Sequence, residues 1–582
     1  MELSSPFRLP RKTPFGLAEH VAEWATGLNQ LDKFYAQRPA NCDTETFLRF
    51  TLEVLGIDYQ VVKGSLESIP QQGATVIVAN HPLGCVEGVI LAELLLQIRS
   101  DVQILANQYL KTVPELDELF IGVDVFNRHD ACKANLKAMR AAHRHLDRGG
   151  LLLLFPAGEV SQLVDSKNNR LEDKAWSRSV ATLIKKSKAC TIPMFINGLN
   201  SKRFYMAGKV HSLLRTLMLG RELLNKSQTP INIAIGESIK YKEVANLDDD
   251  ALVNYLRLNT YLLQPTAHYQ QGFYSPREAF PIPPALGIER YLDDIKNIPE
   301  SDHLLNSGDF SVYCTRAKYI PHILYEIGRL REKNFRAVGE GTGRALDIDQ
   351  YDAHYRHLFI WDNQQQRLVG AYRLGLVDKI IDRVGLSGLY SRTLFNYQYA
   401  FLQRLGKSIE LGRSVIDADY QRSMSALLLL WKGIAGFVQR NPEYTHLFGP
   451  VSISNDYSDS VRQLIVDSIE QHHYDQSCAQ LVQPSNPLPT TSNQWSTSML
   501  SALGDIQLLS RVIARIDSGK SIPVLLRQYL ALNGKLVSFN VDPDFNNALD
   551  GLIVVDLRQV PLKTLARYMT RAEAETYLNY HA

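Results

Sequence analysis

The chain has 582 residues, 45% of them hydrophobic and 21% charged, with a formal net charge of +2. That length exceeds a single compact core and asks for two or more domains. The near-neutral balance does not mark a nucleic-acid binder, so anion recognition must come from local basic clusters.

The first residues, MELSSPFRLPRKTP, contain no apolar h-region and do not read as a signal peptide. Residues 1–70 read as mostly helical, because LDKFYAQ and TETFLRFTLEVLGI carry apolar residues at helical spacing. From about 74 to 240 short apolar strands alternate with helices. Strands are predicted at 74–79, 102–106, 151–155, 191–196 and 231–235, and helices at 88–98, 133–147 and 175–187. Residues 201–226 hold six Lys/Arg and one acidic residue among Leu and Met. They read as a basic amphipathic helix that lies on an anionic bilayer or receives an acidic carrier protein, or equally as a solvated helix face packed on the sheet.

DDDALVNYLRLNTYLL predicts one more helix, and Pro276, Pro281, Pro283, Pro284 and Pro299 then mark a connector. A second α/β pattern begins near 308, with a helix at 317–333, strands near 357–361, 368–374, 408–415 and 446–453, and a long amphipathic helix at 421–440. Beyond 480 a Pro/Ser/Thr-rich loop (PSNPLPTTSN) leads back to order in RQYLALNGKLVSFNVD and LDGLIVVDL. The expected organisation is an α/β domain over 1–265 with its motif core at 74–240, a connector over 266–305, and a second α/β domain over 306–582. No run reaches the roughly 18–20 unbroken apolar residues of a spanning helix: Glu93 interrupts 88–98 and Lys432 interrupts 425–438. Any membrane contact is therefore expected at the surface. The cysteines, Cys42, Cys85, Cys132, Cys190, Cys314 and Cys478, are scattered without a CxxC pair. That argues against a zinc site and a disulfide framework and suits a reducing cytosol.

In VIVANHPLGCVEGVI, His81 follows a buried strand and Glu87 is the first acid after it. A histidine here serves as general base when a carboxylate fixes its tautomer and stabilises the imidazolium; the alternative is a histidine that caps a helix. Arg128, in VDVFNRHD, brings a guanidinium suited to a bidentate grip on carboxylate or phosphate. In LLLLFPAGEVS a strand breaks into a turn whose N–H groups near Gly158 suit an anion or oxyanion, with Glu159 beside it. TIPMFINGLNS repeats the strand-then-turn form.

In this order, over about residues 50–240, the four segments resemble the blocks of the glycerolipid (lysophospholipid) acyltransferase family: NH-x4-D, a block ending in Arg, FPEGT, and a proline at a strand end. The chain departs twice. Its acid is Glu, six residues after His81 rather than five, and Ala157 stands where Glu is usual, with Glu159 two positions on. This form resembles the branch that O-acylates lyso-ornithine lipids and related lyso-aminolipids, whose acceptor bears an α-carboxylate in place of a glycerol phosphate. The resemblance implies His81 and Glu87 as catalytic residues and Arg128, Gly158 and Glu159 as substrate-binding ones.

The second half holds Arg331 and Phe335 four apart on a helix, a loop with Asp347, Asp349 and Asp352, Arg373 in RLVGAYRLG, and Glu410 and Arg413 in SIELGRSVI. Period-two alternation puts Glu410 and Gly412 on one strand face and Leu411 and Arg413 on the other. One reading is an ion-pair network among these arginines and acids. The pattern R-x3-F, D-x2-D, GxYRL and E-x2-R resembles the autoinducer-synthase branch of the GNAT-like N-acyltransferases, and more closely the ornithine-lipid N-acyltransferases, over about 310–460. An aromatic expected between Phe335 and Asp349 is not evident. Coenzyme A-dependent members cradle the pyrophosphate on (Q/R)xxGx(G/A), a glycine turn opening a helix. Here Gln421-Arg422-Ser423-Met424-Ser425-Ala426 has Met424 in the glycine position, which suits acyl-phosphopantetheine on an acyl carrier protein instead. Glu410 is the candidate base, Asp349 and Asp352 candidates for the cationic side chain of ornithine, and an arginine for its carboxylate.

The two resemblances together imply a bifunctional ornithine lipid (aminolipid) synthase. Its C-terminal half N-acylates ornithine with a 3-hydroxyacyl group from acyl carrier protein, and its N-terminal half O-acylates the 3-hydroxyl of the lyso-lipid. Glutamine or glycine are alternative amino acids; an acyltransferase fused to an inactive membrane-binding module is the alternative of another class. No metal and no bound cofactor are expected. The expected location is cytoplasmic, peripheral on the inner face of the cell membrane.

Overall fold

The computed structural model of the chain describes residues 5–9, 17–124, 131–165, 170–210, 212–227, 229–265, 279–421, 424–489 and 495–581. The chain divides into two units, 1–268 with 493–502, and 269–492 with 503–582.

The first unit is built on strands Tyr59–Lys63 (β1), Thr75–Ala79 (β2), Val102–Asn107 (β3), Phe120–Val123 (β4), Leu151–Leu154 (β5), Cys190–Asn197 (β8) and Ile231–Ile235 (β9), with a small hairpin of Gln162–Asp165 (β6) and Arg170–Glu172 (β7). The main sheet runs β1-β9-β8-β2-β5-β3-β4. Every neighbouring pair is parallel except β8 and β9. TVIVA and LLLL are wholly buried because a central parallel strand is covered on both faces, and both read as continuous apolar runs. The helices Cys85–Leu96, Ala131–Asp147 and Ser179–Ser187 lie close to their expected spans.

Two expectations are corrected. Residues 1–70, expected to be mostly helical, also carry a strand: Gly56, at φ +62, ends the helix Thr44–Leu55, and YQVVK then pairs as β1 along β9. The β-branched pair Val61-Val62 favours that extended state. The basic helix over 201–226 is broken into Lys202–Val210, Ser212–Leu217 and Leu219–Leu223. Arg215 turns inward to Glu159, and buried Glu222 accepts from Ser201 N at 2.9 Å, so part of this polar face is internal.

The second unit carries His303–Ser307 (β10), Phe310–Arg316 (β11), Arg356–Asp362 (β12), Arg367–Leu376 (β13), Ser408–Ile416 (β15), His446–Ile453 (β16), Lys535–Asp542 (β18) and Ala548–Asp556 (β19), beside a two-stranded pair of Phe395–Tyr397 (β14) and Val482–Pro484 (β17). The large sheet runs β10-β11-β12-β13-β15-β16-β19-β18. Only β15 and β16 are parallel, and they pair over just three rungs, Ser408 with His446, Ile409 with Leu447 and Glu410 with Phe448. β15 continues along β13 to Ile416 and β16 along β19 to Ile453, so the two strands part past Glu410, after Leu411 O has come close against Gly449. The helix Pro321–Ala337 covers one face, with Ile323, Ile327 and Leu330 on Phe359, Trp361 and Ala371. The helix Met424–Arg440 covers the other, where Trp431 meets Tyr372 edge-on at 6.5 Å. Within the expected connector, the helix Ile288–Asn297 joins this unit: Asp294 accepts from His322 N and Ile323 N at 2.7 and 2.8 Å.

Candidate active sites

In the first unit, β2 is followed by Asn80, whose buried amide bridges to β8, donating to Ile196 O at 2.9 Å and accepting from Ile196 N at 2.7 Å. That clamp fixes where the chain turns to present His81. The imidazole stacks on Phe155 at 4.5 Å between ring centres, and its Nδ1 lies 2.8 Å from Oε1 of Glu87. The contact is a close approach of imidazole and carboxylate rather than an aligned hydrogen bond. Glu87 is fully buried while the His81 side chain is 18% exposed. The same Oε1 accepts from Leu83 N and Gly84 N, each at 3.0 Å, across the start of the helix Cys85–Leu96. Glu87 is thus both the helix cap and the acid beside the histidine. With Nδ1 buried against a carboxylate, Nε2 is the nitrogen free to take a proton from a hydroxyl.

The FPAGEVS turn is tied to this loop. Ser161 N donates to His81 O at 2.8 Å, and Ser161 Oγ donates to Asp173 at 2.5 Å. Asp173 also accepts from Trp176 Nε1 at 3.0 Å, while its own N–H donates to Tyr261 OH at 2.8 Å. Burial pushes the Asp173 carboxyl above the usual carboxylate range, against the pull of Ser161, Trp176 and His81. Gly158 takes φ +69, the left-handed turn conformation that glycine allows. Glu159 is committed to ion pairs with Lys174 and Arg215, the latter at 2.7 Å. Arg128 lies outside the described residues. The Ser161–Asp173–Trp176 support was missed in the sequence, since Asp173 sits in an unremarkable EDKAW segment beyond the hairpin.

In the second unit the predicted residues converge on one face of the sheet. Arg331, fully buried, donates to Asp352 at 2.9 Å; Arg373 donates to Asp349 at 2.7 Å and lies 3.5 Å from Asp352. Arg413, expected on the strand face opposite Glu410, is turned to the same side where β15 bulges against β13 and its backbone takes φ +52, and it lies 3.1 Å from Asp347. Burial works against the charge on Asp352, but Arg331 and Arg373 hold its carboxyl well below the ordinary range. Three aromatics surround Arg373, with its guanidinium 5.0 Å from the ring centres of Tyr355 and Tyr390 and 5.8 Å from that of Tyr351. A cavity of about 290 Å³ lies beside Tyr351, lined also by Gln350, His354 and Ser387. Asp349 and Asp352, expected to hold a cationic side chain, stand in these ion pairs.

Glu410 sits on the last paired rung of β15 and β16. It is buried and accepts from Tyr355 OH and from Ser391 N, the second at 2.5 Å. Burial pushes its carboxyl upward, opposed by the hydrogen bonds from Tyr355 and Ser391. The aromatic missing after Phe335 arrives from far along the chain. Phe545, in the turn between β18 and β19, meets Phe335 edge-on at 6.3 Å and lies 4.7 Å under the Arg413 guanidinium. No local pattern around Phe335 signals it. Gln421 donates to Ile416 O at 2.9 Å; Arg422, Ser423 and the Met424 side chain lie outside the described residues.

Two families match the chain, one described as acyltransferase over residues 30–268 and one as acetyltransferase (GNAT) domain over residues 330–432. A glycine N(alpha)-acyltransferase of Phocaeicola vulgatus is 30% identical over 249 residues, 40% of this chain and 75% of that protein. A lyso-glycine lipid O-acyltransferase of the same organism is 26% identical over 203 residues, 34% of this chain and 69% of its own length. The crystal structure of the AHL synthase LasI covers 28% of this chain and 78% of its own at 17% identity, with a TM-score of 0.19. The chain therefore belongs to the same N-acyltransferase family as the Phocaeicola protein and is an acyltransferase that joins an N-terminal acyltransferase domain to a C-terminal GNAT-type domain.

Proposed function

We propose that the chain makes an aminolipid in two acyl transfers. In the first, the α-amine of ornithine attacks a 3-hydroxyacyl thioester on acyl carrier protein; the C–N bond forms, the C–S bond breaks, and the thiol leaves with a proton. Glu410 takes the amine's proton through a water, and the N–H groups of β15 beyond its last rung with β16 polarise the thioester carbonyl. Its place at the opening of the sheet and its raised carboxyl suit that task. In the second, His81 Nε2 takes the proton of the new lipid's 3-hydroxyl as that oxygen attacks a second thioester; the C–O bond forms, the C–S bond breaks, the imidazolium returns its proton to the departing thiolate, and Glu87 stabilises that imidazolium.

The observation that carries the reading is His81 set against the buried Glu87 on a chain that resembles both an N-acyltransferase and a lipid O-acyltransferase. Glycine is the second reading for the acceptor, favoured by the names of those relatives. Work at the inner face of the membrane, on a peripheral footing, belongs to the same proposal; among the described residues no helix is long and apolar enough to cross a membrane. The test is expression in a bacterium without aminolipids, followed by mass spectrometry of the lipid extract. The intact chain is expected to yield a diacyl ornithine lipid, His81→Ala the monoacyl form, and Glu410→Ala neither. An unchanged diacyl-to-monoacyl ratio in His81→Ala would overturn the assignment of that site.

A further inference from the structure

On the same sheet face as Arg373 and Glu410, beyond the opening between β15 and β16, lies a second group of acids. Asp550 on β19 pairs with Ser452 of β16 on one side and Asn540 of β18 on the other. Period two brings Asp542 to the face of Asn540, and the loop after the helix Pro321–Ala337 brings Glu340 close enough to act on Asp550. Among the described residues none of the three stands in an ion pair within 4.0 Å. The cation that acts on both Asp542 and Asp550, Arg413, is already committed to Asp347 and Tyr390. Asp550 has one partner, the Ser452 hydroxyl at 2.6 Å, and is 3% exposed.

Carboxylates buried without a cation are costly and are repaid by a charge that arrives with a ligand. Their neighbour supplies an independent sign of that ligand. Asn540 is fully buried between the two acids; its Oδ1 accepts from Asn486 N at 2.7 Å, but Nδ2 has no partner. A free, buried N–H asks for an acceptor oxygen. A molecule with both an ammonium and a carboxylate meets the two demands at once.

We propose that Glu340, Asp542 and Asp550 form the subsite for a positively charged acceptor side chain, so that the N-acyltransferase takes a diamino acid in preference to a neutral one. Asn540 Nδ2 holds an oxygen of the same molecule. The inference rests on the reading that this unit N-acylates an amino acid. It assigns the cation to these acids rather than to Asp349 and Asp352, which are held by arginines.

The experiment compares kcat/KM of the full chain, with a 3-hydroxyacyl acyl carrier protein as donor, for ornithine, for norvaline (the same side chain without its amine) and for glycine. Ornithine should exceed norvaline by about tenfold or more, the scale of one charge-assisted hydrogen bond. Asp550→Asn and Glu340→Gln should lower the ornithine value and leave those for norvaline and glycine in place. Equal use of ornithine and norvaline by the wild type overturns the subsite without need of a variant, as does an equal loss for all three acceptors in the variants. Transfer by the wild type to no amino acid at all removes the underlying reading, and the subsite with it.

Discussion

Oε1 of Glu87 lies 2.8 Å from Nδ1 of His81 and 3.0 Å from the backbone nitrogens of Leu83 and Gly84. One oxygen thus holds the imidazole and the first turn of the helix that follows it. The longer glutamate side chain spans the six-residue step that a shorter acid covers in five.

Those two tasks separate by substitution. Glu87→Gln keeps an acceptor oxygen for Leu83 and Gly84 but removes the charge that stabilises the imidazolium. It should fold like the wild type in a thermal melt and lose about 10²-fold or more in O-acylation of added lyso-lipid. Glu87→Ala should lose stability as well, by roughly 1–3 kcal/mol, because buried N–H groups lose their acceptor. Wild-type O-acylation by the glutamine variant would mean that the carboxylate is a cap alone.

The buried pair of Arg331 and Asp352 answers to a different measurement. Asp352→Ala leaves Arg331 without its partner in a site closed to water, and Arg373 with Asp349 alone. Stripping one partner from such a pair costs about 3–5 kcal/mol. The midpoint of urea unfolding should fall accordingly for the transition of this unit. A change under about 1 kcal/mol would place the pair in the solvated class.

These sites were legible in the sequence to different depths. His81, Phe155 and the FPAGEVS turn stand at strand ends, and apolar strands that break into glycine turns are local patterns. The arginines and aspartates of the second unit were legible as a set, since they fall on a helix, a loop and two adjacent strands. Asp173, Phe545, Asn540 and Asp550 were not, because a contact made across a sheet depends on register and strand order, and neither is written in the residues on either side. The break-up of 201–226 was hidden for a related reason: composition marks an amphipathic segment but does not reveal that Arg215 turns inward to Glu159.

Two glycines should respond differently to the same change. A Cβ at Gly449 would run into the Leu411 carbonyl, backbone of the neighbouring strand that cannot move without parting the sheet. A Cβ at Gly158 meets nothing within 4 Å, and its only penalty is the left-handed φ of +69. Gly158→Ala should cost about 1–2 kcal/mol. Gly449→Ala should cost at least about 3 kcal/mol, the upper end for an overpacked site. Equal melting temperatures for the two variants would contradict the close approach at Leu411.

The last prediction concerns pH. Burial, with Asp542 and Glu340 nearby, pushes the Asp550 carboxyl up to about 7, and burial with Asp456 nearby does the same for Glu340. An unfolded carboxyl titrates at about 4, so between these values the folded state binds more protons than the unfolded one. Stability must then fall as pH rises through that window and level off above it. His357 slopes the other way: burial lowers its imidazole to about 4, so stability falls as pH drops from about 6.5 towards that value. Because the two trends oppose one another, the wild-type curve alone is a poor readout. The difference between Asp550→Asn and wild type isolates the acid, since His357 is common to both. That difference should move in favour of the variant as pH rises from about 4 to about 7 and then level off, as measured by chemical denaturation in matched buffers. A difference that stays flat over that range would mean that Asp550 titrates as an ordinary carboxyl and is charged at neutral pH without cost.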